Sequence, residues 1–312
     1  MSLCTVYIPY TRRANPGNQT VMATRFQIAL PDIRKHFESL PTRLFRPQEI
    51  SAILNEQRDG WRLAQHMTAN AFIQDMLART KLKQVSVKCR SNTSKRYTWG
   101  PVAPEAIALS IQSGSYLSHG TAVFLHALND QVPKQIYVNK AQSPKPSPKG
   151  NMTQEGIDRA FRNKQRVSTY ECTFDEGRCL LLSGKNTGDY GVVELKGAND
   201  ETLRVTGLER TLVDIAVRPV YSGGVYEVLE AYRAAVTRPE FSSNVVLATL
   251  KKLDYRYPYH QAIGFYLERA GAKPSLLERF KRLGLNFDFY LDYAMPTTAY
   301  DSTWRLHFPK GL

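Results

Sequence analysis

The chain has 312 residues, and 42 Lys and Arg against 28 Asp and Glu give a formal charge of +14. A hydrophobic share of 42% can bury real cores, which excludes global disorder. No apolar run approaches the ~20 residues of a membrane span, and no apolar stretch follows Arg12 and Arg13 to make a secretory signal. The basic excess points to nucleic acid as partner, with plain solubility as the competing reading. The four cysteines, Cys4, Cys89, Cys172 and Cys179, form no dense framework, so the expected setting is a reducing cytoplasm.

Residues 1–23 lack periodicity and contain Asn15-Pro16-Gly17-Asn18, which reads as a disordered tail. A first helix is expected over 31–40, with Pro31 in its first turn and Ile33, Phe37 and Leu40 on its apolar face. Arg43-Leu44-Phe45 reads as a short strand. A second helix starts at Pro47, carries Ile50, Ile53 and Leu54 at i, i+3, i+4, and breaks at Asp59-Gly60. A third starts near Thr68, a good N-cap, with Phe72, Ile73, Met76 and Leu77 inward. Asn70, Gln74 and Arg79 lie on its other faces. Amides suit adenine edges, and guanidinium suits guanine or phosphate.

From Arg79 to Pro104 there are seven basic residues and no acidic one. Residues 84–90 alternate, which places Val85, Val87 and Cys89 inward and Lys88 and Arg90 outward. Residues 91–94 supply a turn, and 95–99 return with Tyr97 and Trp99 inward and Arg96 outward. A basic hairpin after three helices has the order of a winged helix-turn-helix. The candidate DNA contacts are Thr68, Asn70, Gln74 and Arg79 on the helix, with Lys83, Lys88, Arg90, Lys95 and Arg96 on the hairpin. The bland alternative is a small α/β domain with a solvated basic hairpin.

A second domain is expected over 103–238. Ser118 caps a helix running to Leu128, and His119 and His126 share a face of it. Two histidines without carboxylate or thiolate partners fall short of a metal site. Residues 132–138 read as a strand. The stretch 140–149, with Pro144, Pro146 and Pro148 among lysines, reads as an extended loop, and Arg159, Arg162, Lys164 and Arg166 follow it. Thr206-Gly207-Leu208-Glu209 has the form of a capping box, opening a helix that pairs Arg210 with Asp214. Another helix is expected over 223–236. In the third region, 239–312, Ser242 caps a helix, Pro258 starts one ending at Gly271, and Ser275-Leu276-Leu277-Glu278 is a further capping box. Phe287, Phe289 and Leu291, then Trp304, Leu306 and Phe308, alternate as strands. The expected fold class is therefore mixed α+β, an N-terminal winged helix-turn-helix over 24–100 followed by a larger mixed α/β region.

Three blocks resemble the AbiEi-like antitoxin family of type IV (abortive-infection) toxin–antitoxin systems. They are Lys95-Arg96-Tyr97-Thr98-Trp99-Gly100; Tyr116-Leu117-Ser118-His119 through Leu128 to Gln131-Val132-Pro133 and Ile136-Tyr137-Val138; and Val205-Thr206-Gly207-Leu208-Glu209-Arg210-Thr211-Leu212-Val213-Asp214 with Gly223-Gly224. The third is the most specific, and the likeness spans about residues 40–270. It implies a bacterial or archaeal regulator whose winged helix binds inverted repeats in its own promoter. It further implies a C-terminal part that neutralises a nucleotidyltransferase toxin without a stable complex. The DNA-contact role then falls on 68–80 and 83–96, with no catalytic residue or cofactor to assign and a monomer or weak dimer as the oligomeric state. The long tail and the basic 140–166 stretch depart from the family pattern.

Two other functions compete. Val192-Val193-Glu194-Leu195-Lys196 has the form of a Glu-x-Lys nuclease strand, with Asp175 or Asp189 as the upstream Mg²⁺ carboxylate. Basic charge with 17 tyrosines also suits an RNA-binding or protein-interaction module. For Cys172 and Cys179 the spacing matches no common zinc pair, and buried thiols are expected.

Overall fold

The computed structural model describes residues 23–144, 150–175 and 177–312. The tail expected over 1–23 lies, but for its last residue, outside them, as does much of the 140–149 loop. The first helix, α1 (Arg25–Ser39), starts earlier than the sequence suggests. Thr24 Oγ1 accepts from the Gln27 N–H at 3.3 Å, and Gln27 Oε1 accepts from the Thr24 N–H at 2.7 Å, a reciprocal cap. Pro31 therefore sits inside the helix, on its exposed side. The buried stripe Phe26, Ala29, Ile33 and Phe37 outweighs the backbone bond that Pro31 deletes. Then follow β1 (Leu44–Phe45), α2 (Pro47–Gln57), α3 (Ala69–Arg79), β2 (Leu82–Cys89) and β3 (Thr93–Trp99).

The middle of the chain supplies α4 (Pro104–Leu109), β4 (Tyr116–Leu117), α5 (His119–Leu125), β5 (Ile136–Ala141), α6 (Gln154–Arg162), β6 (Glu171–Phe174) and β7 (Gly177–Gly184). It continues with β8 (Val192–Lys196), β9 (Thr202–Thr206), α7 (Leu208–Val217), a 3₁₀ turn (Pro219–Ser222) and α8 (Val225–Val236). The last stretch forms α9 (Ser243–Leu253), α10 (Tyr259–Arg269), α11 (Pro274–Lys281), β10 (Phe289–Tyr290), β11 (Thr298–Asp301) and β12 (Leu306–Pro309). No helix among the described residues is long and apolar enough to cross a membrane.

The fold is mixed α/β with a large curled sheet. Nine strands run in the order β1-β3-β2-β6-β7-β5-β4-β9-β8, and a small sheet orders β10-β12-β11. The large sheet continues from the N-terminal segment into the middle of the chain through β2 and β6. One core packs α1–α3 against β1–β3 through Phe37, Phe72, Leu82, Tyr97 and Trp99. A second gathers Val85 and Val87 with Ile107, Ala108, Leu117, Val138 and Phe174. The third and largest joins α7–α11 with Phe289 and Trp304. Every residue of α7 except Glu209 is buried, as befits a helix at the centre of that core. A Cβ built on Gly264 of α10 would lie 2.1 Å from the Trp304 ring, so that close approach needs glycine.

Several local expectations shift. The strand expected from 132 begins at Ile136, and Val132 beside Pro133 is 74% exposed. Thr206 ends β9 instead of capping α7; its Oγ1 lies 2.8 Å from Thr211 Oγ1, and Glu209 accepts the Ser242 N–H at 3.0 Å. The N-cap position of α11 is Lys273, ahead of Pro274, so Ser275 is not its cap. Ser242 does cap α9, accepting from the Val245 N–H at 3.4 Å.

Candidate nucleic-acid interface

Helix α3 begins where Thr68 predicts: its hydroxyl oxygen accepts the Ala71 N–H at 3.2 Å. Phe72, Ile73 and Met76 bury one side, and Trp61 stacks on Phe72 with ring centroids 5.9 Å apart. The opposite side leaves Asn70 and Gln74 exposed one turn apart. Thr68 and Arg79 are exposed too, Arg79 lying 3.8 Å from Asp75. Two residues that sequence patterns did not single out hold this helix. Arg58 donates to the carbonyls of Ala64, Gln65 and Met67 at 3.0, 3.2 and 2.9 Å and ties down the α2–α3 loop. Arg34 donates to the Arg79 carbonyl at 2.6 Å, at the helix C-terminus. Neither role leaves a local signal, because the acceptors are backbone carbonyls.

The hairpin forms with Leu82↔Trp99, Gln84↔Tyr97, Val85↔Arg96, Ser86↔Lys95 and Lys88↔Thr93 as partners. Directly paired residues share a face. Val85 and Val87 therefore face opposite to Tyr97 and Trp99, which corrects the single inward face expected. Both faces of the hairpin base are covered, by α1–α3 on one side and the second core on the other. Arg96 is buried in consequence, 6% exposed. It donates to the Ser110 hydroxyl and carbonyl, both at 2.9 Å, and to the Lys95 carbonyl at 2.9 Å. It is not an outward DNA contact.

Lys83, Lys88, Arg90 and Lys95 are exposed, and none has a carboxylate partner among the described residues. Lys88 and Lys95 continue the face that packs on the helices, out to the hairpin tip. Lys81, by contrast, is held by Glu38 at 2.5 Å, and that contact leads the causes that pull the Glu38 carboxyl below its usual range.

The hairpin is not a free flap. Strand β2 also pairs with β6 through Val87↔Phe174, Lys88↔Thr173 and Cys89↔Cys172. Cys89 and Cys172 are joined in a disulfide with Cα atoms 4.1 Å apart. This corrects the expectation of a buried thiol at Cys172. Cys179, opposite Cys172 on β7, is a buried free thiol, and burial pushes its pKa up to about 12.

The competing sites do not assemble. Glu194 is exposed on the edge strand β8, and Lys196 lies 3.4 Å from Asp200. Asp189 is engaged by Arg204 at 2.7 Å, and Asp175 is exposed in a turn. Among the described residues no group of His, Cys, Asp and Glu side chains converges in a form that could hold a metal ion. His119 is buried with Nδ1 2.8 Å from Ser118 Oγ, while His126 Nε2 lies 2.7 Å from the Thr206 carbonyl, so the two histidines serve separate bonds. No protein-family model matches the chain, and no curated protein matches its sequence.

Proposed function

We propose that the chain is a regulator that binds double-stranded DNA through α3 and the β2–β3 hairpin. One observation carries this reading: the exposed amides of Asn70 and Gln74 stand beside a hairpin whose exposed cations have no acidic partners among the described residues. Amides on a helix suit adenine edges in a major groove, while unpaired lysines suit phosphates. The order α1-β1-α2-α3-β2-β3, with β1 paired to β3, is the order a winged helix requires, which supports the reading. Thr68 and Arg79 flank the reading face, and Lys83, Lys88, Arg90 and Lys95 provide backbone contacts.

The likeness to AbiEi-like antitoxins extends the proposal. The DNA is then the chain's own promoter, read at inverted repeats by a monomer or weak dimer in the cytoplasm. The functional partner is a nucleotidyltransferase-like toxin. Fluorescence anisotropy with duplex DNA from upstream of the reading frame tests the first part. Joint replacement of Lys83, Lys88, Arg90 and Lys95 by Glu is expected to weaken binding by about 100-fold or more in moderate salt. Unchanged affinity, or tighter binding to single-stranded RNA of equal length, overturns it. Rescue of growth when the chain is co-expressed with a neighbouring nucleotidyltransferase tests the second part.

A further inference from the structure

A cavity of about 970 Å³ opens between the hairpin tip, strands β5 and β7, helix α7 and the segment leading into α10. Its size suits a small organic ligand. Its wall has an uneven charge. Arg166, Lys185, Arg210, Arg218 and Arg256 all line it, against one carboxylate among the described residues, that of Asp214. Asp214 is taken by Arg210, Nε to Oδ1 at 2.8 Å, and both side chains are 4% exposed. The other four cations have no carboxylate partner among the described residues. Lys185 donates to the carbonyls of Leu253 and Asp254, and Arg218 to the carbonyl of Arg166 at 2.8 Å. Such bonds position a cation without neutralising it.

A second feature is aromatic. Tyr221, Tyr255 and Tyr257 line the same cavity, and Lys185 lies 5.7 Å from the Tyr255 ring centroid. A third is an unmet hydrogen bond. Asp214 Oδ2 is buried with no partner among the described residues, although buried polar atoms are nearly always satisfied. Net positive charge selects an anion, guanidinium groups favour phosphate, and tyrosine rings favour a flat ring. A buried acceptor selects a ligand that also donates an N–H or O–H. Inorganic phosphate satisfies the cations and can offer an O–H, but it supplies no flat ring for the tyrosines.

We propose that this cavity binds a nucleoside phosphate. Arg166, Arg218 and Arg256 hold the phosphates, the tyrosines pack on the base, and Asp214 Oδ2 accepts from the base or sugar. The cavity borders the hairpin tip at Cys89 and Asn92, but the proposal does not depend on the DNA reading.

Calorimetric titration of the full chain with ATP, GTP, CTP and UTP tests it, with the corresponding nucleosides and inorganic tripolyphosphate as separate arms. At least one nucleoside triphosphate is expected to bind with a Kd in the micromolar range. Its nucleoside and tripolyphosphate are each expected to bind at least about tenfold more weakly. Arg166→Ala and Arg256→Ala, both at exposed side chains, are expected to weaken binding about tenfold each with unliganded melting unchanged. Lys251→Ala, on the exposed side of α9, is expected to leave it as it is. Absence of binding by all four triphosphates overturns the proposal. So does tripolyphosphate binding as tightly as the nucleotides, or equal affinity in the Arg166 and Arg256 variants. Binding of a single-stranded oligonucleotide but of no mononucleotide also overturns it.

Discussion

Arg96 of β3 and Arg46 both donate to the Ser110 carbonyl, each from Nη2 at 2.9 Å. Two guanidinium groups thus meet at the end of α4 and tie the N-terminal core to the second core. Burial depresses the Arg96 pKa, and the neighbouring Arg46 charge adds to that effect. Arg96→Ala leaves the Ser110 carbonyl with one donor fewer and opens a space. Urea unfolding is expected to show a loss of about 2–3 kcal/mol. Arg96→Lys is expected to recover only part of it, because an ammonium cannot reproduce the forked donation. DNA affinity per folded molecule is expected to be unchanged, which separates Arg96 from the exposed lysines.

The Cys89–Cys172 bond closes a sequence separation of 83 residues between β2 and β6. Loop closure of that length corresponds to about 4.5 kcal/mol in the chain-entropy model. Reduction, or Cys172→Ser, is expected to lower stability by an amount of that order. Peptide mapping without reductant is expected to return Cys89 and Cys172 on linked fragments. Finding both singly alkylated in the unreduced protein contradicts the assignment.

Acid is expected to destabilise the fold partly through His119. Burial holds its pKa at about 3, below the ordinary 6.5, so the folded chain keeps the ring neutral. The unfolded chain takes up a proton below pH 6.5, and stability is lost progressively as pH falls from there towards 3. Between pH 7 and 5 the His119 share is about 2 kcal/mol. His119→Asn suits the positive φ of 51° at this position and is expected to remove that part of the slope. Denaturant titrations of both proteins at the two pH values check it, and identical slopes refute it.

Local signals were the legible ones. Thr68 announced α3 because a cap and the apolar stripe behind it are neighbours in sequence. The hairpin was legible from its alternation, but its faces were not. Alternation assumes one wet face, whereas Tyr97 and Arg96 point into two different cores. The disulfide was hidden because Cys172 stands opposite both Cys179 and Cys89, and only the placement of β6 beside β2 brings Cys89 near. Thr206 and Ser275 fit a capping pattern, yet a strand end and a proline at the first helical position displaced it. The cavity was illegible for a related reason. Arg166, Lys185, Arg218 and Arg256 come from separate segments that meet only when the large sheet and α7 are assembled.

Asn70 and Gln74 are expected to govern sequence preference. Each alanine substitution is expected to weaken binding to the preferred duplex by about 1–3 kcal/mol and to leave affinity for scrambled DNA nearly unchanged. Competition titrations with the two duplexes measure this. Equal loss on both assigns these amides to backbone contact.

The slope of log affinity against log salt concentration, for wild type and for the single Ala variants of Lys83, Lys88, Arg90 and Lys95, tests DNA binding by the hairpin most directly. Each substitution is expected to reduce the magnitude of the slope by about 0.9, while Arg96→Ala leaves it alone. Slopes that match wild type in all four lysine and arginine variants would contradict the account.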